Sequence, residues 1–158
     1  MTGDVVNEAI DDSAHLRDSV FSRAFGADYI AAAFKRARKA DPKATLFYND
    51  YGIELQNAKS DAVFALVQGL VSGRVAIDGV GFQFHVDARF PPSEQAIVDN
   101  FSRFTALGLG VNISELDVQV RNVVSRLVRA STRRHSGHFR TPARACRSCS
   151  PSRRTAAA

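Results

Sequence analysis

Two carboxylates stand two residues apart in a short apolar stretch of the chain. Glu115 and Asp117 lie within residues 110–120, GVNISELDVQV, with Leu116 between them. Because residues i and i+2 of a β-strand point to the same face, Glu115 and Asp117 should share a face and Leu116 should be buried on the other. An unpaired buried charge is costly. The pair is therefore either the end of a strand that emerges into solvent or part of a functional site.

A third carboxylate, Glu8, follows the apolar residues Val5 and Val6 and is preceded by Asn7. Glu8 and Glu115 end the first and the last strands that the sequence predicts. Hydrolysis of a glycosidic bond uses two such carboxyl groups, facing each other across the sugar. One protonates the leaving oxygen, and the other attacks the anomeric carbon or activates a water molecule. The two glutamates are therefore a candidate catalytic pair.

The hydrophobic pattern predicts strands that alternate with helices. Strands are expected around Val5, Phe47, Phe82 and Ile113, and helices over residues 28–40, 60–71 and 93–107, with a short helical turn at 20–25. Asp28 is expected to cap the first long helix, and the next helix should begin near Ser60 or Asp61. Repeats of this kind are typical of βαβ units with a parallel sheet, so we predict an α/β fold.

Each predicted strand ends in polar residues, and ligands of parallel sheets bind at the carboxyl ends of the strands. These polar residues are Asn7 and Glu8, then Asn49, Asp50 and Tyr51, then Gln83 and His85, and finally Glu115 and Asp117. Residues 49–52, NDYG, are expected to form a turn, and Asp50 is assigned to that turn. Asp11 and Asp12 are assigned to a solvated loop. His85 alone, on an apolar strand, would more often be a hydrogen-bonded core histidine.

The charged residues divide the chain into two parts. Residues 1–120 carry all 16 acidic residues, whereas residues 121–158 carry 10 arginines and no acidic residue. We therefore expect a domain over residues 3–120 and an Arg/Ser-rich tail over residues 121–158 that is disordered or translated out of frame. Phe139 is the single aromatic residue of the tail, which argues against a nucleic-acid partner.

Several functional classes find no support in the sequence. No run of about 18 apolar residues is present, so no membrane-spanning helix is expected. The N-terminus lacks the pattern of a signal peptide. Cys146 and Cys149 form a lone CxxC in the tail, which is weak evidence for metal or redox chemistry. No cluster of ligands suggests a metal ion or a cofactor.

Four segments resemble, in order, the signatures of one enzyme family. They are DVVNEA at 4–9, LFYNDYG at 46–52, IDGVGFQFH at 77–85 and ISELD at 113–117. From about Gly3 to Val118 the chain thereby resembles glycoside hydrolase family 10, the endo-β-1,4-xylanases. The resemblance implies a (β/α)8 TIM barrel with parallel strands, of which this chain would hold about strands 4 to 7. It also implies hydrolysis of xylan with retention of configuration.

The resemblance implies roles for the polar residues at the carboxyl ends of the strands. Glu8 would be the general acid/base, and Asn7 would bind the sugar next to the scissile bond. Glu115 would be the nucleophile that forms a glycosyl-enzyme. His85 would hydrogen-bond Glu115, and Asp117 would orient His85. In the alternative interpretation, Asp117 has no role in the reaction and only helps to close the end of a strand.

Three further residues, Asn49, Tyr51 and Gln83, would line the sugar-binding subsites by resemblance. The chemistry needs no cofactor and no metal, and the implied partner is xylan or a xylo-oligosaccharide. Secretion is implied by the resemblance as well.

The sequence also departs from the family pattern. It contains no tryptophan, although the family carries tryptophans after the eighth strand. Four strands alone would leave two unpaired sheet edges that favour self-association. The alternative interpretation is therefore a truncated, catalytically inactive fragment that associates with itself or with a partner.

Overall fold

The structure, a computed structural model, describes residues 2–120. Its elements, in chain order, are β1 (Thr2–Asn7), α1 (Val20–Phe25), α2 (Asp28–Ala40), β2 (Thr45–Tyr51), α3 (Ala58–Ser72), β3 (Gly79–Asp87), α4 (Glu94–Thr105) and β4 (Gly110–Gln119). The strands form one parallel sheet in the order β1-β2-β3-β4. The predicted α/β alternation is thus confirmed. The prediction of a disordered tail lies outside the described residues.

The hydrophobic core lies between the sheet and its helices. Phe34 of α2, Val67 of α3 and Phe104 of α4 are fully buried against the sheet. Phe82 of β3 packs its ring on Phe101 at a centroid distance of 4.3 Å and on Phe104 at 5.4 Å. Aromatic pairs at these distances contribute beyond their buried area. The two central strands are therefore packed against the helices, and this packing fixes the positions of the side chains that the strands carry.

The outermost strand β4 is far less covered than β2 and β3. Leu116 is 67% exposed, so the prediction that it is buried is wrong. Alternation put Leu116 on the face opposite Glu115 and Asp117, but alternation does not supply an element to cover that face. Burial of a strand residue needs packing from a neighbouring layer as well as the correct register.

Two element boundaries differ from the sequence-based expectation. Ala27 occupies the N-cap position of α2, and Asp28 is the first helical residue and makes no capping bond. Its carboxylate still lies in the first turn, where the helix dipole favours negative charge. α3 begins earlier than expected because the side chain of Asn57 caps it by accepting from the Ser60 backbone N–H at 2.8 Å.

The expected turn at residues 49–52 is wrong, since β2 continues to Tyr51. Asn49 pairs with Gly81 and Tyr51 with Gln83, so the hydrogen-bonded ladder extends through them. The chain leaves the strand at Gly52, whose φ of 66° lies in the left-handed region that glycine adopts without strain. Ladder hydrogen bonds to the neighbouring strand outweigh the local turn preference of Asn and Asp.

Strand β4 contains a bulge immediately before its carboxylates. Phe82 pairs with Ile113 and Gln83 with Glu115, so Ser114 is the extra residue. Bulges of this kind re-aim the side chains that follow them and are common beside active sites. Within the described residues, no helix is long and apolar enough to cross a membrane.

Candidate active site

Gln83 lies in the middle of β3, which continues to Asp87, and joins this strand to the end of β1. Its Nε2 donates to Glu8 Oε1 at 3.2 Å and to Asn7 Oδ1 at 2.9 Å. Gln83 is only 4% exposed, so the strand framework holds its amide in place. Its register partner across β3 and β4 is Glu115. The Gln83 amide thus contacts the residues at the end of β1 directly and lies beside Glu115 of β4 in the sheet register.

His85 lies between the carboxylates of β4 and the amide of Gln83. Its Nδ1 is 3.0 Å from Asp117 Oδ2, and its Nε2 is 3.4 Å from both Glu115 Oε2 and Gln83 Oε1. With a proton on Nδ1 donated to Asp117, Nε2 carries a second proton only when the ring is cationic. The expected contact of His85 with Asp117 is a hydrogen bond, whereas Glu115 is an ion-pair partner of Nε2 at 3.4 Å. The catalytic roles of these residues stay predictions.

Asn7 is held by a line of polar side chains across the sheet. Asn49 Nδ2 donates to Asn7 Oδ1 at 3.0 Å, and Ser114 Oγ donates to Asn49 Oδ1 at 2.6 Å. This line crosses Gly81, where a Cβ atom would collide with Asn49 Oδ1. Ser114, the bulge residue, was not predicted as part of the site, because strand alternation would place it on the opposite face from Glu115.

Tyr51 is fixed by charged groups from two other elements. Its hydroxyl donates to Asp12 Oδ1 at 2.6 Å and accepts from Arg17 Nη2 at 3.1 Å. Lys59 Nζ lies 3.2 Å from the centroid of its ring, a cation–π contact. Asp12 is therefore more than part of a solvated loop. The sequence offered no signal for Arg17 or Lys59, because neither lies at a strand end.

Asp50 is a buried residue of β2 that supports the site, so its assignment to a turn is wrong. It is fully buried and accepts from Tyr48 Oη at 2.6 Å. Lys59 Nζ lies 3.0 Å from Asp50 Oδ1, an ion pair whose angle falls short of a hydrogen bond. Burial, together with the charge of Asp50, raises the pKa of Tyr48, so this phenol stays protonated as the donor.

Two other carboxyl groups near Tyr51 have shifted proton affinities in opposite directions. The hydrogen bond from Tyr51 lowers the pKa of Asp12. Burial raises the pKa of Glu54, only partly offset by backbone hydrogen bonds and by the charges of His85 and Lys59. Glu54 follows β2 and accepts from the Gly52 backbone N–H at 3.2 Å. It was not predicted as part of the region.

A pocket with a volume of about 570 Å³ lies on the β1 side of the sheet. Its lining includes Asn7, Glu8 and Arg17 together with the aromatic rings of Phe21 and Tyr29. Glu115 does not border it. Among the described residues, no group of three or more His, Cys, Asp or Glu side chains could hold a metal ion.

The sequence of the chain matches a known protein family. The family described as Glycosyl hydrolase family 10 matches residues 1–152. The chain belongs to glycosyl hydrolase family 10. Endo-1,4-beta-xylanase 1 of Humicola insolens is 44% identical to this family 10 chain over 116 residues, which are 73% of this chain and 27% of that protein.

Solved structures of family 10 xylanases share the fold. Xylanase 10B from Thermotoga petrophila RKU-1, solved in complex with xylobiose, matches with a TM-score of 0.73 at 40% identity, over 83% of this chain and 41% of that chain. An intracellular xylanase from Thermoanaerobacterium saccharolyticum matches with a TM-score of 0.72 at 35% identity, over 82% and 40%. The family 10 chain thus spans less than half the length of these relatives, and its parallel sheet is part of a TIM barrel.

Proposed function

We propose that this chain carries the catalytic pair of a retaining endo-1,4-β-xylanase. The observation that carries the proposal is that both glutamates contact side chains of β3. Glu8, directly after β1, lies 3.2 Å from Gln83, and Glu115, within β4, lies 3.4 Å from His85. The xylobiose bound to the Thermotoga petrophila relative supports a xylo-oligosaccharide as the substrate class.

The proposed reaction is a double displacement. Glu115 attacks the anomeric carbon while Glu8 gives its proton to the leaving oxygen, so that a glycosyl-enzyme forms on Glu115. Glu8 then takes a proton from water, which attacks the same carbon and frees Glu115. Asp117 favours the His85 tautomer with a proton on Nδ1. A cationic His85 would then donate from Nε2 to Glu115, whereas a neutral His85 would have no proton on Nε2 to donate.

The subsite residues take different parts in this proposal. Asn7 and Tyr51 are partly accessible and would contact sugar hydroxyls. Asn49 is 3% exposed and donates to Asn7, so we propose that it acts mainly by holding Asn7. Gln83, expected to line a subsite, is 4% exposed and its amide contacts Glu8, Asn7 and His85, so we propose that it acts mainly by holding these residues. The two catalytic carboxyl groups should lie about 5–5.5 Å apart, as retention requires.

The proposal is tested with an aryl β-xylobioside, whose hydrolysis releases a coloured phenol. The parent chain should release phenol, and Glu115→Ala should release none above background. Glu94→Gln, on the exposed face of α4, is the matched control and should retain the parent rate. Equal rates from the parent and Glu115→Ala would remove the enzymatic proposal.

The stereochemistry gives an independent test of the double displacement. The first sugar product should be the β-anomer, which proton NMR detects before mutarotation mixes the anomers. An α-anomer as the first product would mean single displacement by water, and Glu115 would then be a base rather than a nucleophile.

A second candidate function is favoured by the exposed apolar side chains of β4. Ile113, Leu116 and Val118 are all exposed on this outermost strand of the described sheet. Unpaired edges and exposed apolar surface favour association. We propose as the alternative that the chain is catalytically inactive and self-associates through its sheet edges. Oligomers that show no Glu115-dependent hydrolysis would support this alternative.

We further propose that residues 3–120 are part of a family 10 catalytic domain and that residues 121–158 form a separate Arg/Ser-rich tail. The charge division of the sequence supports this boundary. If the tail is out of frame, translation of the underlying DNA in another frame should yield a family-like eighth strand. The absence of such a strand in every frame would remove the frame-shift explanation.

We propose an extracellular place of action, because polymeric xylan does not enter cells. The intracellular relative from Thermoanaerobacterium saccharolyticum represents the opposite case within the same family. Immunodetection of the protein in culture medium and in washed cells separates the two, and protein confined to the cells would contradict the proposal.

A further inference from the structure

Glu8 has a backbone conformation that side-chain-bearing residues rarely adopt. Its φ is 55°, in the left-handed region, where the Cβ atom crowds the backbone. Such residues persist when surrounding contacts hold them, and they are concentrated at functional sites. The conformation turns the chain out of β1 one residue after the strand ends. It thereby sets the direction in which the Glu8 carboxyl leaves the backbone.

Two contacts hold the backbone of Glu8 from opposite sides. Its N–H donates to the carbonyl of Asn49 at 2.8 Å, which is the last bond to β2. Its carbonyl accepts from Arg17 Nε at 2.6 Å. The second contact comes from a side chain nine residues later. The peptide planes on both sides of the Glu8 Cα are therefore fixed by hydrogen bonds.

Arg17 is itself held by three oxygens. Besides the Glu8 carbonyl, its Nη2 donates to the Ile10 carbonyl at 3.2 Å and to Tyr51 Oη at 3.1 Å. The planar guanidinium fork suits this set of acceptors, which a lysine ammonium could not reach together. Tyr51 is held in turn by Asp12, so the position of Arg17 is tied to strand β2.

Lys59 anchors the far side of this arrangement. It comes from α3, is 6% exposed, and lies against the Tyr51 ring and close to Asp50 Oδ1. A buried ammonium has little freedom to move, because it would lose its carboxylate partners Asp50 and Asp12. The chain of contacts from α3 through Tyr51 to Arg17 therefore ends on the backbone of Glu8.

We propose that Arg17 is a positioning residue for Glu8, which holds the left-handed backbone of Glu8 so that its carboxyl meets Gln83 and the substrate. The inference rests on the proposed function, because positioning matters only if Glu8 transfers a proton. Arg17 touches no reacting atom in this scheme. Its removal should impair the step that needs the proton of Glu8 and leave nucleophilic attack by Glu115 largely intact.

The first test is hydrogen exchange at single amides and needs no catalytic activity. In Arg17→Lys and Arg17→Gln, the Glu8 amide should exchange at least about tenfold faster than in the parent chain. The Gly110 amide, which donates to the Asp78 carbonyl on the far side of the sheet, reports global stability and should be unchanged. Arg23→Gln is the matched control, since Arg23 pairs with Asp18 on the exposed surface of α1.

Each exchange result decides the proposal. An unchanged Glu8 amide in both Arg17 variants overturns it. If Arg17→Gln unfolds and every amide exchanges, the charge-conserving Arg17→Lys and the variant Tyr51→Phe, which removes one acceptor of Arg17, carry the test. Faster exchange at Glu8 and Gly110 alike in all three variants also overturns it, because Arg17 would then support the whole fold.

The second test uses aryl β-xylobiosides with different leaving groups. A dinitrophenolate leaves without protonation, whereas a phenol needs the proton of Glu8. Arg17→Lys should lose at least about tenfold in kcat/KM on the phenyl substrate and less than about threefold on the dinitrophenyl substrate. Equal losses on both substrates would mean a structural role and overturn the proposal. A parent chain without Glu115-dependent hydrolysis refutes the proposed function, while the exchange test still decides the role of Arg17.

Discussion

The two proposed catalytic carboxylates differ in the donors that reach them. Glu8 accepts from the amide groups of Gln83 and Asn7, both neutral and both tied to the sheet. Glu115 has His85 as its neighbour, a group that can carry charge. Neutral donors allow the carboxyl to change its protonation state during the reaction, whereas a nucleophile is best served by a neighbour that stabilises the carboxylate.

Removal of the Glu8 carboxyl should slow the reaction in a manner that azide reverses. Glu8→Ala should lower kcat on the phenyl β-xylobioside by about 10²- to 10⁴-fold, the usual contribution of a general acid or base. With a dinitrophenyl substrate, azide should attack the glycosyl-enzyme without help from a base and restore turnover. Product analysis by NMR should show the β-xylobiosyl azide, and an α-azide would contradict the assignment.

The buried carboxyl of Glu54 should make stability fall with rising pH. Burial raises its pKa in the folded chain, so its contribution is fully present below the unfolded pKa of about 4.3 and is lost as the pH rises through the folded value. Glu54→Gln keeps the shape and the acceptor for Gly52 but cannot ionise. Urea unfolding between about pH 4 and pH 8 should show the variant gaining stability relative to the parent. If the stabilities of the parent and of Glu54→Gln change with pH in parallel, ionisation of Glu54 does not destabilise the folded chain.

At the level of elements, side chains of β2 and β4 meet across strand β3 because Gly81 has no side chain there. Asn49 of β2 and Ser114 of β4 form a hydrogen bond over Gly81. The β4 bulge supplies Ser114 to this contact and places Glu115 next in line. The gap at Gly81 therefore couples the support of Asn7 to the orientation of the β4 carboxylates.

Gly81→Ala should destabilise the sheet and displace Asn49. The new Cβ would collide with Asn49 Oδ1, and overpacking of this kind costs about 1–3 kcal/mol. Gly3→Ala is the matched control, because a Cβ at Gly3 of β1 would meet nothing within 4 Å and should change stability by less than about 0.5 kcal/mol. Urea denaturation measures both, and equal effects of the two variants would mean that the gap is unimportant.

For the described domain as a whole, the exposed edge predicts association that depends on concentration. Leu116→Lys should shift the chain toward monomer, since a lysine on an edge strand opposes pairing with another chain. Val98→Lys is the matched control, because Val98 is an exposed apolar residue on helix α4. Analytical ultracentrifugation over a range of concentrations compares the three proteins. A parent chain that is monomeric throughout would exclude association through β4.

Local pattern was enough to predict the strands and the helices, although Glu115 lies within β4, which continues to Gln119, and not at its end. Hydrophobic period and turn residues act over a few positions, so α2 over Asp28–Ala40 and β4 after Gly110 were correctly located. The order of the four motifs also predicted the family. These properties follow from residue types and spacing along the chain, which the sequence contains in full.

Other features depend on which neighbours a residue meets in space. Asn49 and Asp50 read as a turn, but pairing with β3 keeps them in a strand and buries them. Ser114 joined the site because of a bulge, and Arg17 because a loop folds back to the Glu8 carbonyl. Contacts between distant segments, and the cover that a strand face receives, arise only when the chain packs. That is why residue types and spacing indicated which groups could do the chemistry, while the folded arrangement revealed what holds them in place.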